Sequence, residues 1–533
     1  MERFMSYFDL PGYRLRSSDF PRYFSEKDWE PLVSLISRLK KLKAMHYAVA
    51  NSFPRSLLDA VHQHHPECEI NIWSPQSLRL DTPGVDLEYT FNSSRQPSEV
   101  SNDPFDMEIL RSPCLQAIKL DYPLITRGWP NGIFHPYQMI PYVWQAPNLK
   151  HVYLQLDTRW PGDLLDAIQK LPESSAHGDQ RTTLDSFALQ SQILEEPILS
   201  KWIQTMDFSA LRSLHVPRID YPSSLKDAAA GLVNLERLFI CVAPGRDGWE
   251  QISGELECIF QRLRPLKYLS LEALEHVTFL HTILGRHGPS LLGLMLEPHE
   301  TCRSRTSPPL KPQYTGWAYP FLDHVHLQRI AESCPNLKEL RIPIRRTKGS
   351  NEEVRTYRSL GKFSRLQNLI LDLYGNPRPV ISKEEGIFSD EGVGRSPPVH
   401  VSLRDAFINF ATDSALATAI WKEISSQQPI RSLLRLRVSP WGYNIHDEEE
   451  VYAFLQLAGS YLVTHGGRKV VEIGRDEKKD EQEALAERDE FEDTRPFRVP
   501  RRITRTLHSI WPPESSDTDW TTSWRSFPLQ TDA

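Results

Sequence analysis

One spacing of leucines recurs along most of this 533-residue chain. The wording is L-x-x-L-x-L, with an apolar residue leading. It reads Leu115-Ile118-Leu120, Leu149-Val152-Leu154, Leu184-Phe187-Leu189, Leu211-Leu214-Val216 and Leu235-Leu238-Ile240. It continues as Leu266-Leu269-Leu271, Leu291-Leu294-Leu296, Leu337-Leu340-Ile342, Leu366-Leu369-Leu371 and Leu433-Leu436-Val438, and a weaker copy, Leu39-Leu42-Ala44, comes first. The last two apolar residues of each copy are two apart, so they point to one side of a short strand, into a core. The first leucine packs the turn that leads in. Several copies follow a helical stretch closed by proline, at His65-Pro66, Arg264-Pro265, Gly288-Pro289 and Cys334-Pro335. Proline fits there because it cannot continue a helix and favours an extended predecessor.

A single such unit cannot bury its own apolar face, so neighbouring units must stack. The expectation is an α/β leucine-rich-repeat solenoid, with a curved parallel sheet on the concave side, helices on the convex side and irregular insertions. From Leu149 to Leu291 successive copies start 35, 27, 24, 31 and 25 residues apart. The gaps of 46 residues after Leu291 and 67 after Leu366 read as insertions. The alternative is an α/β protein with several leucine-rich helix–strand junctions.

A solenoid overrides the several domains that the length alone suggests, because its core grows unit by unit. Forty per cent of the residues are apolar, enough for a folded core. A net charge of −7 carries no global nucleic-acid signature. Six cysteines without paired spacing read as reduced thiols, so an intracellular location, cytoplasmic or nuclear, is expected. Met1–Leu10 lacks a secretory signal pattern, and no apolar run has the length of a membrane span.

Three segments are expected: an irregular, aromatic 1–28, a repeat body over 29–475, and a charged, flexible tail over 476–533. The periodicity predicts helices near 29–42, 56–64, 162–171, 198–206, 225–232, 250–263, 276–286 and 322–333. It further predicts one long amphipathic segment over 403–424, a helix near 448–465 and a strand over 470–473. Residues 92–106, 300–319 and 376–399 read as loops, and 124–146 as a packed irregular insertion. In the tail, ten of the eighteen residues 476–493 are acidic, and 495–505 hold five arginines. Such segregated charge reads as solvated, although Trp511, Trp520 and Trp524 favour docking back.

No catalytic or cofactor motif emerges. The cluster His62, His64, His65 lacks the two ligand pairs of a zinc site and reads as a polar helix end. No phosphate-binding loop or nucleophile elbow occurs. No cofactor and no metal are expected. The arginines of the tail are the one nucleic-acid candidate, and the acidic stretch before them offers a pairing partner instead. What remains is the strand face opposite the leucines. Its candidate protein-binding residues are Tyr153, Gln155, His215, Arg237, Phe239, Tyr268, Glu272, Glu339, Arg341, Asn368 and Asp372. Aromatic and arginine side chains are frequent interface anchors.

Three stretches resemble the fungal F-box type of leucine-rich-repeat protein. Residues 29–73 resemble its opening unit, C-P-N-L-K-E-L-R-I at 334–342 its commonest repeat wording, and D-A-F-I-N-F-A-T-D-S-A-L-A-T-A-I-W at 405–421 its C-terminal unit. The V-V-E-I-G-R-D-E run at 470–477 is similar to its closing segment. The resemblance implies a non-enzymatic scaffold binding protein partners on the concave face. It also implies a Skp-type adaptor and a cullin as partners, through an F-box. Leu10-Pro11 stands where such a module opens, but Gly12, Pro21 and the aromatic run do not supply its helices, so the F-box is either lost or encoded upstream. An enzyme with its active site in 124–146 or 300–319 is the contrasting expectation.

Overall fold

In the computed structural model the described residues are 26–47, 53–73, 108–121, 146–156, 183–191, 207–216, 223–242, 249–274, 276–300, 317–318, 322–375, 403–428, 432–442, 448–473, 501–513 and 524–530. The chain divides into two compact units, Met1–Leu211 and Arg212–Ala533.

The first unit carries helices α1 (Glu30–Arg38) and α2 (Arg55–His64) and strands β1 (Ala44–Tyr47), β2 (Glu69–Ile72), β3 (Leu115–Asp121), β4 (His151–Leu156) and β5 (Ser186–Ser191). The five strands pair in parallel, in chain order. Parallel neighbours require a crossover each time, and α2 makes the crossover from β1 to β2. The motif apolars form the core: Leu115, Ile118, Leu149, Val152, Leu184, Phe187 and Leu189 are all buried.

The second unit continues the pattern. Its strands are β6 (Ser213–Val216), β7 (Arg237–Cys241), β8 (Tyr268–Glu272), β9 (Gly293–Glu297), β12 (Glu339–Arg345), β13 (Asn368–Tyr374), β14 (Arg435–Trp441), β15 (Ser460–Thr464) and β16 (Lys469–Ile473). A separate antiparallel pair, β10 (His299–Glu300) and β11 (Trp317–Ala318), stands outside this sheet. The first seven strands run parallel in that order. Helices α3 (Ser223–Ala228), α4 (Trp249–Arg262), α5 (Val277–His287), α6 (His324–Ser333), α7 (Asn351–Leu360), α8 (Leu403–Phe410) and α9 (Ser414–Ser426) lie between strands in sequence.

Stacking is stitched by a repeated backbone device. The carbonyl just before each strand accepts two N–H groups of the next unit: Glu236 O from Lys267 and Tyr268, Lys267 O from Leu292 and Gly293, Leu292 O from Lys338 and Glu339, and Lys338 O from Gln367 and Asn368. The P-N-L wording has its own physical cause. The side-chain amides of Asn148 and Asn336 donate to the carbonyls of Pro113 and Pro289 in the preceding unit, each at 2.8 Å. Asparagine is used because its amide satisfies a carbonyl that the turning chain leaves open.

The structure corrects several expectations. The amphipathic segment over 403–424 is divided between two helices. It breaks after Phe410, where Asp413 takes an extended conformation and caps α9, its carboxylate accepting the Leu416 N–H at 2.8 Å. The helix expected near 448–465 stops at Leu457 as α10 (Glu448–Leu457). Beyond it, β15 reverses the parallel order by pairing antiparallel with β14, and β16 follows antiparallel. The hairpin turn uses Gly466 and Gly467, both at positive φ, as tight turns require. Helix α7 was not foreseen, because its sequence NEEVRTYRSL is mostly polar; its apolar Val354, Tyr357 and Leu360 are nonetheless buried.

Parts of the expected mobile tail are ordered. Helix α11 (Arg501–Ile510) buries Ile503, Leu507 and Ile510, with Trp511, in one cluster with Phe407, Phe410 and Phe454 of α8 and α10. Trp524 and Phe527 pack against that cluster. The amphipathic spacing of Ile503, Leu507 and Ile510 wins over the arginines around them, which stay at the surface. The helices expected at 162–171 and 198–206, the loops at 92–106 and 376–399, and residues 476–493 lie outside the described residues.

Candidate interaction face

The side chains alternating with the leucines line up in rows, because parallel register places equivalent residues side by side. In the second unit one row runs Ser213, Arg237, Tyr268, Gly293, Glu339, Asn368, Arg435. The next runs His215, Phe239, Ser270, Met295, Arg341, Ile370, Arg437. Beyond them come Cys241, Glu272 and Glu297, then Pro343, Asp372 and Ser439, and finally Arg345, Tyr374 and Trp441.

Arg341 is the hub. Its Nη1 donates to Glu297 Oε2 and its Nε to Asp372 Oδ2, both at 2.8 Å, so one guanidinium ties β9, β12 and β13 together. The Ser270 hydroxyl donates to Glu297 Oε1 at 3.1 Å. Burial raises the Glu297 carboxyl above its ordinary range, with Arg341 opposing and Asp372 and Glu272 adding to the rise. Three acids, Glu272, Glu297 and Asp372, thus stand near one arginine, which bridges two of them.

Toward β7 the face is aromatic. The Arg237 guanidinium lies over the Tyr268 ring, 5.3 Å from its centroid, a cation–π arrangement. The His215 and Phe239 rings meet at 5.7 Å. Desolvation pushes His215 down to about 4, against the pull of the Glu272 carboxylate, so the ring is neutral at pH 7. Burial, joined by the charge of Glu339, raises the Tyr268 hydroxyl, with Arg237 and Lys267 opposing.

Three of the expected outward residues are not exposed. Phe239 is 8% exposed, Asp372 5% and Glu339 2%. Phe239 is shielded by the His215 ring and Asp372 by Arg341. Burial raises the Glu339 carboxyl, opposed by a hydrogen bond from Asn368, and its Oε2 has no hydrogen-bond partner among the described residues. Arg237, Tyr268, Glu272, Arg341, Asn368 and His215 keep part of their surface open. In the first unit Tyr153 is half-buried, with the Lys119 ammonium over its ring at 5.9 Å; the Gln155 side chain lies outside the described residues.

Sequence reasoning missed Glu297, Ser270, Tyr374 and Trp441. The first two occupy outward positions of the period-2 pattern and were legible there. Tyr374 and Trp441, whose rings meet at 4.7 Å, stand past the end of the motif on seven-residue strands. The histidine cluster is structural: His62 Nε2 meets Ser112 Oγ at 2.8 Å and His65 Nε2 meets the Ile36 carbonyl at 2.9 Å. Among the described residues no three His, Cys, Asp or Glu side chains are grouped to hold a metal ion. No helix among them is long and apolar enough to cross a membrane. The expected insertion 124–146 and loop 300–319 fall almost wholly outside the described residues.

No protein-family model and no curated protein matches this chain. Among solved structures, a leucine-rich repeat-containing protein from Legionella pneumophila, LegL7, is similar over 75% of this chain and 96% of its own, with 11% identity and a TM-score of 0.32. That likeness is too slight to carry a conclusion.

Proposed function

We propose that residues 29–475 form a leucine-rich-repeat solenoid serving as a non-catalytic scaffold, and that a protein partner binds along the strand face of β6–β14. The observation that carries this reading is the row built around Arg341. A charged hub bridging three strands, flanked by Arg237 on Tyr268 and by His215 on Phe239, gives a preorganised surface of aromatic and arginine anchors. Holding these side chains in advance lowers the ordering cost of association. Tyr153 and Lys119 extend the same chemistry to the first unit.

The test is immunopurification of the tagged full-length chain, beside a Tyr268→Ala/Arg341→Ala variant. A stoichiometric partner retained by the wild type and lost by the variant supports the scaffold reading. A partner retained equally by both places binding elsewhere and overturns the face. Co-purification of a Skp-type adaptor and a cullin supports instead the ligase-receptor alternative that the F-box resemblance implies.

A further inference from the structure

Helix α1 has its apolar stripe on the wrong side for a buried helix. Its one buried residue is Ile36, whereas Leu32, Leu35 and Leu39 are 37%, 49% and 39% exposed. They are three of the six large apolar side chains that stand exposed among the described residues. The stripe forms one wall of a groove of about 300 Å³, with Trp29, Leu42, Met45 and Tyr47 among its other walls. Strand β1, which supplies Met45 and Tyr47, pairs with β2. An apolar concavity lined by exposed leucines is a recognition feature.

The charge around this groove has one sign at its C-terminal end. Arg38, Lys40, Lys41 and Lys43 alternate with the groove residues Leu39 and Leu42, and all four are exposed. None of the four is in an ion pair among the described residues. Glu26, in α1's lead-in, is committed elsewhere: its carboxylate accepts the Arg55 N–H at 3.0 Å and the Ser56 hydroxyl at 2.6 Å, capping α2. The groove therefore offers apolar contact with a cationic border that is unpaired among the described residues.

We propose that this groove is a second interaction site, separate from the strand face, and that it takes an acidic, amphipathic segment of a partner protein. Leucine-like side chains of that segment fill the concavity between Leu35, Leu39 and Tyr47, and its carboxylates meet Arg38, Lys40, Lys41 and Lys43. A concave groove suits inserted side chains better than the plane of a lipid surface, which a nine-residue helix engages only weakly.

The probe is a fluorescein-labelled peptide of about five helical turns, with leucines at i, i+3, i+4 and i+7 and glutamate at its charged positions. A lysine-for-glutamate counterpart and phosphatidylserine-containing vesicles complete the set. The expected result is saturable binding of the glutamate peptide to the full chain, weakened about tenfold by Leu35→Glu and by Lys40→Glu/Lys41→Glu, and weakened by added salt. Arg341→Ala leaves it unchanged, which separates this site from the strand face. Equal binding of the lysine peptide, or no binding, overturns the proposal. Vesicles that bind and displace the peptide would assign the groove to a membrane. A dimer dissolved by Leu35→Glu would assign it to a second copy.

Discussion

His65 and His287, more than two hundred residues apart, make the same two bonds. His65 accepts the Leu42 N–H on Nδ1 at 3.4 Å and reaches the Ile36 carbonyl of the preceding helix with Nε2 at 2.9 Å. His287 accepts the Leu266 N–H at 3.2 Å and reaches the Phe260 carbonyl at 3.0 Å. Because Nδ1 accepts, Nε2 must carry the proton and donate, which sets the neutral tautomer. Each ring thus pins a helix end to the helix before it and to the turn that leads into the strand.

His287→Ala leaves the Leu266 N–H buried without its acceptor, and a loss of about 1–3 kcal/mol is expected in urea unfolding. The pH dependence follows from the direction of the shift. Burial lowers the His287 ring below its ordinary 6.5, against the Phe260 bond. Below 6.5 the unfolded chain binds more protons than the folded one, so this contribution is complete above 6.5 and is lost as pH falls through the lower folded value. A His287→Gln variant should show a shallower loss of stability between neutral and mildly acidic pH. An unchanged slope refutes the assignment.

Arg346 and Glu353 are a fully buried ion pair at 2.8 Å. The Glu353 carboxylate also accepts the Tyr357 hydroxyl at 2.8 Å and the N–H groups of Thr347 and Gly349 at 2.7 and 2.9 Å. Removing one partner strands the other charge in the core, so Glu353→Ala should cost about 3–5 kcal/mol. Arg346→Met/Glu353→Leu should recover only part of that loss: no buried charge is then left alone, but the Tyr357 hydroxyl and the Thr347 and Gly349 N–H groups still lack their acceptor. Chemical denaturation of the three proteins checks this.

The C-terminal stretch is clamped by Asp413, whose carboxylate accepts the N–H and hydroxyl of Ser526 at 2.8 and 2.7 Å. Gln530 N–H donates to Gly349 O at 2.7 Å, and a Cβ at Gly349, already at φ +73°, would stand 2.6 Å from the Pro528 carbonyl. Truncation after residue 500 exposes the cluster that Ile503, Leu507, Ile510 and Trp511 complete, each worth about 1.5–3 kcal/mol. A melting temperature lowered by many degrees is expected. Gly349→Ala should give a smaller drop in the same direction, and a truncated chain that melts like the full one contradicts the packing.

The two faces of one strand should respond differently. Leu369→Ala hollows the core on the buried side and should cost about 2–5 kcal/mol. Arg341→Ala, on the other side, leaves Glu297 and Asp372 without their shared counter-charge, so it should lower the melting temperature by less than Leu369→Ala while abolishing partner capture. If Arg341→Ala unfolds the chain instead, the row is a structural brace and not a binding surface.

The parallel order of the strands and the identity of the core leucines were legible in the sequence, because the two-residue period and the repeated lead-in turn are local properties. The P-N-L and His65-Pro66 wordings were visible too, but their bonds were not, since their acceptors lie twenty or more residues away in the preceding unit. Helix α7 was hidden because only three of its buried side chains, Val354, Tyr357 and Leu360, are apolar. Among the candidate residues, alternation placed Arg341 and Tyr268 opposite the core leucines, but did not show the burial of Glu339 and Asp372, the latter beside Arg341.

By itself, then, the sequence determined which residues turn inward and that units must stack, since one amphipathic strand cannot bury its leucines alone. Only the tertiary structure decided which arginine bridges which acids, where the sheet turns antiparallel, and that part of a charged tail packs as a core helix. Those outcomes depend on contacts between residues distant in the chain, whose energies no local pattern carries.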